Sequence, residues 1–265
     1  MADWWWAYLA VGAFVGFFSG LLGIGGGAAI VPVLALIFAA KGFPQSHAVH
    51  LALGTCVSTM LFTSASSSLS HHQRKAVNWR VLAGMLPGVM LGTFAGGLLA
   101  SRLDARALSI AFTILIYYVG TLMLLDRKPA TPRKLPGTLG LSSVSGVIGL
   151  ISSLTATGGA ALMIPYLVRR GLTVHEAIGT AVAIGWPLAL GGTLGYVVSG
   201  MSVSGLPEWH VGFVYLPALA WIVPASMLMA PVGASIAHRT PGRTLKRVFA
   251  VVLYALATTM LVRFF

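Results

Sequence analysis

Gly16-Phe-Phe-Ser19-Gly20-Leu-Leu-Gly23-Ile-Gly25-Gly26-Gly27-Ala-Ala-Ile-Val-Pro32 lies inside a run without a single charge, from Trp4 to Ala40. As one straight helix those 37 residues would reach roughly 55 Å. A bilayer's hydrocarbon core is about 30 Å thick, and about 20 residues cross it. The run is therefore too long for one span. Each glycine in a helix interior weakens it by about 1 kcal/mol, so the cluster Gly25, Gly26, Gly27 predicts a break and a return.

A second copy follows. Gly149-Leu-Ile-Ser152-Ser-Leu-Thr155-Ala-Thr157-Gly158-Gly159-Ala160-Ala-Leu-Met-Ile-Pro165 repeats the Gly, Ser, Gly-Gly and Pro positions after a shift of 133 residues. It sits in another uncharged run, Leu135 to Val168, with a break expected near Thr157, Gly158 and Gly159. Later landmarks keep the order. Gly54-Thr55 matches Gly179-Thr180, Leu86-Pro87 matches Leu216-Pro217, and Trp79 and Trp209 precede those prolines at the same distance. Arg106, Leu108, Phe112 and Tyr117 match Arg243, Leu245, Phe249 and Tyr254. Two related halves are expected, 1–126 and 135–265. The charged, Pro-rich stretch 127–134 would join them as a basic cytoplasmic linker.

Composition agrees with a membrane protein. Of 265 residues, 57% are hydrophobic and 8% charged, whereas soluble domains carry about 25% charged residues. Uncharged runs at Val81 to Ser101, Ala107 to Leu125 and Ala177 to Pro207 are long enough to span. The net charge of +12 sits in short gaps between apolar runs, which reads as topology control and not as a nucleic-acid surface. Trp4, Trp5 and Trp6 suit an interfacial belt, and since Met-Ala-Asp before them lacks the basic n-region of a signal peptide, this segment is expected to stay in the mature protein. The lone Cys56 excludes an intramolecular disulfide.

Charge parity decides between two arrangements. If each long run crosses once, alternate sides carry nine and eight Lys plus Arg, which is no bias. If each long run returns to its own side, Lys41, Arg102, Arg106 and Arg263 fall on one face and the other thirteen on the opposite face. The second arrangement obeys the positive-inside rule. It puts both termini outside the cell (inner) membrane, and it makes the halves inverted. The expected fold is an all-α polytopic membrane protein of two inverted-topology repeats. Each repeat has a Gly-broken or re-entrant first segment and three transmembrane helices. Inverted repeats with interrupted helices are a recurrent plan of secondary transporters, with the site near the midplane. Isolated glycines such as Gly92, Gly96 and Gly97 are expected to serve close helix packing instead.

On Gly16-x-x-Ser19-Gly20-x-x-Gly23-x-Gly25-Gly26-Gly27 with Pro32, and the second copy ending Gly158-Gly159 with Pro165, the chain resembles the TauE/SafE family of membrane proteins. The resemblance covers nearly the whole chain, with Thr155, Thr157 and Ala160 departing from the glycine pattern of the first copy. It implies export of sulfite or organosulfonates.

The five acids, Asp3, Asp104, Asp126, Glu176 and Glu208, lie at or near segment ends. That speaks against a cation path, which uses intramembrane acids, and against an enzyme, since neither paired carboxylates nor metal-ligand spacing occurs. No cofactor or metal is expected. A small anion is suited by helix N-termini, with their unpaired N–H groups and positive dipole end. The candidate binding residues are Ser19, Gly25, Gly26, Gly27, Thr55 and Ser58 from the first half, and Thr155, Thr157, Gly158, Gly159 and Thr180 from the second. Helix–helix hydrogen bonding is the alternative use of each hydroxyl. His50 is the candidate for proton coupling. The expected partners are a small anion (sulfite, a sulfonate or a related oxyanion) and the lipid bilayer, and no nucleic acid. A passive anion channel and a non-transport accessory protein stay open as alternatives, as does the oligomeric state.

Overall fold

The computed structural model describes residues 4–22, 27–73, 75–125, 134–237 and 242–264. Among these described residues ten helices run in order: α1 (Trp5–Leu22), α2 (Gly27–Ala40), α3 (Gln45–Gln73), α4 (Trp79–Ala100), α5 (Ala105–Leu125), α6 (Thr138–Thr155), α7 (Ala160–Arg169), α8 (Val174–Gly200), α9 (Leu216–Ala237) and α10 (Gly242–Phe264). Each half thus holds two short helices from its long run and three longer ones. Four helices, α3, α4, α6 and α8, are long and apolar enough to cross a membrane by themselves. The break between α1 and α2 falls on 23–26, outside the described residues, and so does most of the predicted linker.

Side-chain caps start three of the helices. Asn78 caps α4 by accepting from the N–H of Val81 at 3.2 Å. Asp104 does the same for α5 from Ala107 at 2.8 Å. Thr173 and Glu176 form a reciprocal capping box at α8. Pro32 and Pro165 are each the sixth residue of their short helix, α2 and α7. One departure from the sequence reading is the run Ala177 to Pro207. Its helix stops at Gly200, and a two-stranded hairpin, β1 (His210–Val211) and β2 (Val214–Tyr215), precedes α9. Trp209 and Gly212 both adopt positive φ there, so the chain turns before a further helical turn forms.

Both long runs return to the end where they began. Lys41, just after α2, places its Nζ 5.7 Å from the ring of Tyr8 near the start of α1. Arg170, just after α7, donates from Nη1 to the carbonyl of Lys134, just before α6, at 3.3 Å. These contacts mark opposite ends of the molecule. At the Lys41 end, the ring of Phe213 stacks on His50, and His50 Nε2 donates to the carbonyls of Ala100 and Leu103, each at 3.0 Å. At the Arg170 end, the backbone N–H of Asn78 donates to Thr180 Oγ1 at 2.9 Å. Between the ends runs α3, about 44 Å long at 1.5 Å per residue.

The helices pair by close approach of small residues. On α4, Gly84, Gly88, Gly92 and Gly96 face α6, where Cβ atoms would strike Leu141, Ser142, Gly146 and Leu150 in turn. The numbers rise together, so α4 and α6 are parallel. Likewise Gly12 and Gly16 of α1 meet Ile222 and Ser226 of α9. Gly97 of α4 lies against Gly195 of α8. Gly92, Gly96 and Gly97 therefore serve packing, as the sequence reading expects. Two buried clusters result. One spans α1 to α3, α5, α9 and α10 and takes in Ala100 of α4 and Ala189 and Tyr196 of α8, and the other spans α4 and α6 to α8.

Candidate functional site

The second break is built by backbone conformation. Ala156, Gly158 and Gly159 all have positive φ, at 48°, 73° and 71°. A left-handed conformation is routine for glycine and costs other residues roughly 1–2 kcal/mol, so Gly158-Gly159 is suited to reverse the chain. Residues 155–160 are all buried. Irregular backbone at membrane depth is tolerated where protein covers it.

The tips of the two hairpins meet. A Cβ on Gly27, the first residue of α2, would strike the carbonyl oxygen of Ala156. Met60 of α3 lies beside both, with Sδ 3.1 Å from a Cβ placed on Gly27 and Cε 2.7 Å from one placed on Gly158. The Cys56 thiol donates to the Gly27 carbonyl at 3.3 Å. Gly27, Thr155, Thr157, Gly158 and Gly159 are thus brought together at the centre, along with Met60 and Cys56, which the sequence reading did not choose. Gly25 and Gly26 lie outside the described residues.

At this centre α7 follows Gly159, its N-cap residue, with no side-chain cap, although the first N–H groups of any helix lack an intrahelical partner. Beside it stands Ser152 of α6, completely buried. Its Oγ lies 3.4 Å from a Cβ placed on Gly159 and has no hydrogen-bond partner. The neighbouring Ser153 hydroxyl is also buried and unpartnered. Thr157 shares a 3.2 Å hydrogen bond with Thr155. Ser152 is the repeat equivalent of Ser19, and that pairing is the sequence signal that points to it. Ser19 itself is half-buried on the last turn of α1.

Three of the chosen hydroxyls have other work in this structure. Thr55 Oγ1 accepts from the N–H of Tyr215 at 3.0 Å. Thr180 Oγ1 accepts the matching bond from Asn78. A Cβ on Gly54 or on Gly179 would strike the carbonyl of Phe213 or of Ala76. The Gly-Thr pair of each half thus clasps the segment leading into a long helix of the other half. Ser58 donates back to the Gly54 carbonyl at 2.8 Å. His50 lies about 15 Å along α3 from Met60 at the helical rise. It is buried, and its Nδ1 has no partner.

The Lys41 end is capped by rings. Lys41 Nζ lies 5.3 Å from the centroids of both Phe43 and Tyr215 and donates to the Tyr215 hydroxyl at 3.2 Å. Phe38 packs edge-on against Tyr215. Among the described residues no carboxylate lies near the hairpin tips, and no group of His, Cys, Asp and Glu forms a metal site. Asp104 and Glu208 are exposed in loops, and Glu176 sits in its capping box.

The profile of the family described as Sulfite exporter TauE/SafE matches residues 8–260. The chain belongs to the TauE/SafE family. A TauE/SafE relative from Haemophilus influenzae, named a probable membrane transporter protein, is 36% identical over 259 residues, covering 96% of this chain and 97% of its own length. The probable membrane transporter YdhB of Bacillus subtilis is 26% identical over 241 residues, covering 88% and 90%. A probable membrane transporter of Methanocaldococcus jannaschii is 28% identical, covering 82% and 80%. No solved structure matches the chain. The relatives are named as transporters, and this TauE/SafE member is a multi-pass membrane protein of that kind.

Proposed function

We propose that this chain is a secondary carrier that exports a small anion, sulfite or an organosulfonate, across the cell (inner) membrane. The two halves, 1–126 and 135–265, act as inverted repeats in this reading. Two hairpins that open to opposite ends and meet at their tips support that relation. The anion lies where the tips meet, on the N-terminal N–H groups of α7 at Gly158 and Gly159, with Thr157 beside it. Gly25, Gly26 and Gly27 supply the equivalent backbone of the first half. One observation carries the assignment: the fully buried, unpartnered Ser152 hydroxyl beside the uncapped start of α7. A buried polar group without a partner is costly, and an anion's oxygens would satisfy it. Sulfur enters from the family alone. Thr55, Ser58 and Thr180 take structural places. His50, with one ring nitrogen bonded and the other bare, is the proposed proton-coupling group.

A thermal-shift screen of purified protein tests this. Ligands that bind only the folded state raise its stability by mass action. Sulfite or organosulfonates should raise Tm, and small cations should not. Counterflow in liposomes should follow for whatever binds. Conduction without exchange would make the protein a channel, and absence of any anion effect would make it an accessory protein.

A further inference from the structure

The two halves match in their main contacts. α1 lies on α9 as α6 lies on α4, while α5 meets α10 and α3 crosses α8. α2 also meets α10, and α3 meets α5, with no comparable contact of α7 with α5 or of α8 with α10 among the described residues. The largest difference is the third helix of one half against the fourth helix of the other. The second half of α8 is packed along α4. A Cβ on Gly191 would come 2.6 Å from the Met90 carbonyl, one on Gly195 would come 2.6 Å from that of Phe94, and Ser199 donates to the Gly97 carbonyl at 3.4 Å. Its counterpart, the second half of α3 along α9, is far less packed.

The repeat register names the surfaces left apart. Aligning Gly54-Thr55 with Gly179-Thr180 puts Ser66 and Ser67 at the places of Gly191 and Gly192. Aligning Leu86-Pro87 with Leu216-Pro217 puts Ala220, Pro224 and Met227 at the places of Met90, Phe94 and Gly97. Gly192 and Gly97 are buried, whereas Ser66, Ser67, Ala220, Pro224 and Met227 are exposed. Lipid would account for the α9 surface, which is apolar. It does not account for α3, whose stretch from Thr63 to Gln73 carries hydroxyls, two histidines and an amide, polar groups that lipid-facing surfaces rarely carry, although Thr63, Ser64, Ser67 and Ser68 already donate to backbone carbonyls. Gly192 lies beside Ser153 of the α6 tip, so Ser67 stands at the matching depth in the other half.

We infer that α3 and α9 close onto each other in a second state, and that this structure is the state in which water reaches the hairpin tips from the Arg170 end. In the second state Ser66 rests on Ala220 and Ser67 is buried. By the same exchange α8 withdraws from α4, and the ring cluster around Lys41 opens. The inference gives the proposed carrier its two access states, but closure itself does not depend on which solute moves.

Cysteine pairs test it in a Cys56→Ser background, which keeps a donor for the Gly27 carbonyl. With Ser66→Cys and Ala220→Cys together, oxidation in membranes should form an intramolecular disulfide, and a reductant should release it. The pair Ser66→Cys with Leu91→Cys, whose second site is on the exposed face of α4, should not cross-link. Absence of the first disulfide, or equal cross-linking of both pairs, overturns the inference. A single Ser67→Cys guards against misfolding of the pair. It should react with a charged thiol reagent at least ~10-fold faster than Leu91→Cys, because the thiolate is the reactive form and needs water. Equal resistance at both sites would place that α3 surface in lipid and overturn closure. A protein that cross-links as expected yet moves no anion keeps the two states and loses the proposed substrate.

Discussion

Ser152 separates a binding hydroxyl from a packing hydroxyl. Ser152→Ala removes a group that has no protein partner, so Tm without ligand should stay level or rise. Anion affinity should fall by about 1.5–3 kcal/mol, the range for a hydrogen bond to a charged group, which is roughly 10- to 150-fold in Kd. Titration calorimetry beside a melting curve reads both numbers; lower stability with unchanged Kd would make Ser152 a packing residue. The sequence showed a serine at this place in both copies and so pointed to the position through Ser19. It did not show which hydroxyls were already used. Thr55 and Thr180 meet backbone N–H groups more than 100 residues away, and no local pattern signals such a bond. Ser58 turns back on its own helix, one of two outcomes open to any serine in a helix.

At the scale of elements, the break of the second long run at Gly158 and Gly159 was legible because it rests on simple lengths, while Gly25 and Gly26 of the first run lie outside the described residues. A run far longer than a bilayer must break, and glycines mark where. The β-hairpin before α9 was not legible, because Gly205-Leu-Pro207 lies in a stretch whose apolarity alone reads as helix. The packing stripe was legible in part: Gly92 and Gly96 read as contact residues, but α6 as their partner required the fold. The interface makes a sharp prediction. A side chain at Gly92 would enter the backbone of Gly146, so Gly92→Leu should cost at least the 1–3 kcal/mol typical of overpacking. Its neighbour Leu91 is 70% exposed, and Leu91→Ala should be nearly neutral. Fluorescence-detected size exclusion of the two variants in detergent should show loss of the folded peak for the first alone. A normal peak for Gly92→Leu would mean that α4 and α6 are not held at backbone contact.

For the whole molecule, charge and geometry were read separately and give the same partition. Counting Lys and Arg grouped Lys41, Arg102 and Arg106 on one face, and the other face took Lys75, Arg80, Lys134, Arg169 and Arg170. Geometry sorts the same residues by the ends of α3. Lys41 and the carbonyls flanking Arg102 gather at its start, while Arg170 bonds Lys134 and Ala76 meets Gly179 at its finish. Charge alone could not say how the long runs return, and geometry alone does not say which end faces the cytoplasm. Basic loops are retained on the cytoplasmic side, so we propose that the Arg170 end faces the cytoplasm and both termini the outside. Gln73 and Gly205 are both exposed and sit near opposite ends, after α3 and after α8. In a Cys56→Ser background, a membrane-impermeant thiol reagent on intact cells should label Gly205→Cys and spare Gln73→Cys. Inside-out vesicles should give the reverse pattern. Labelling of both from one side would break the agreement between charge and geometry, since a single crossing by the second long run, which lies between the two positions, moves them onto the same face.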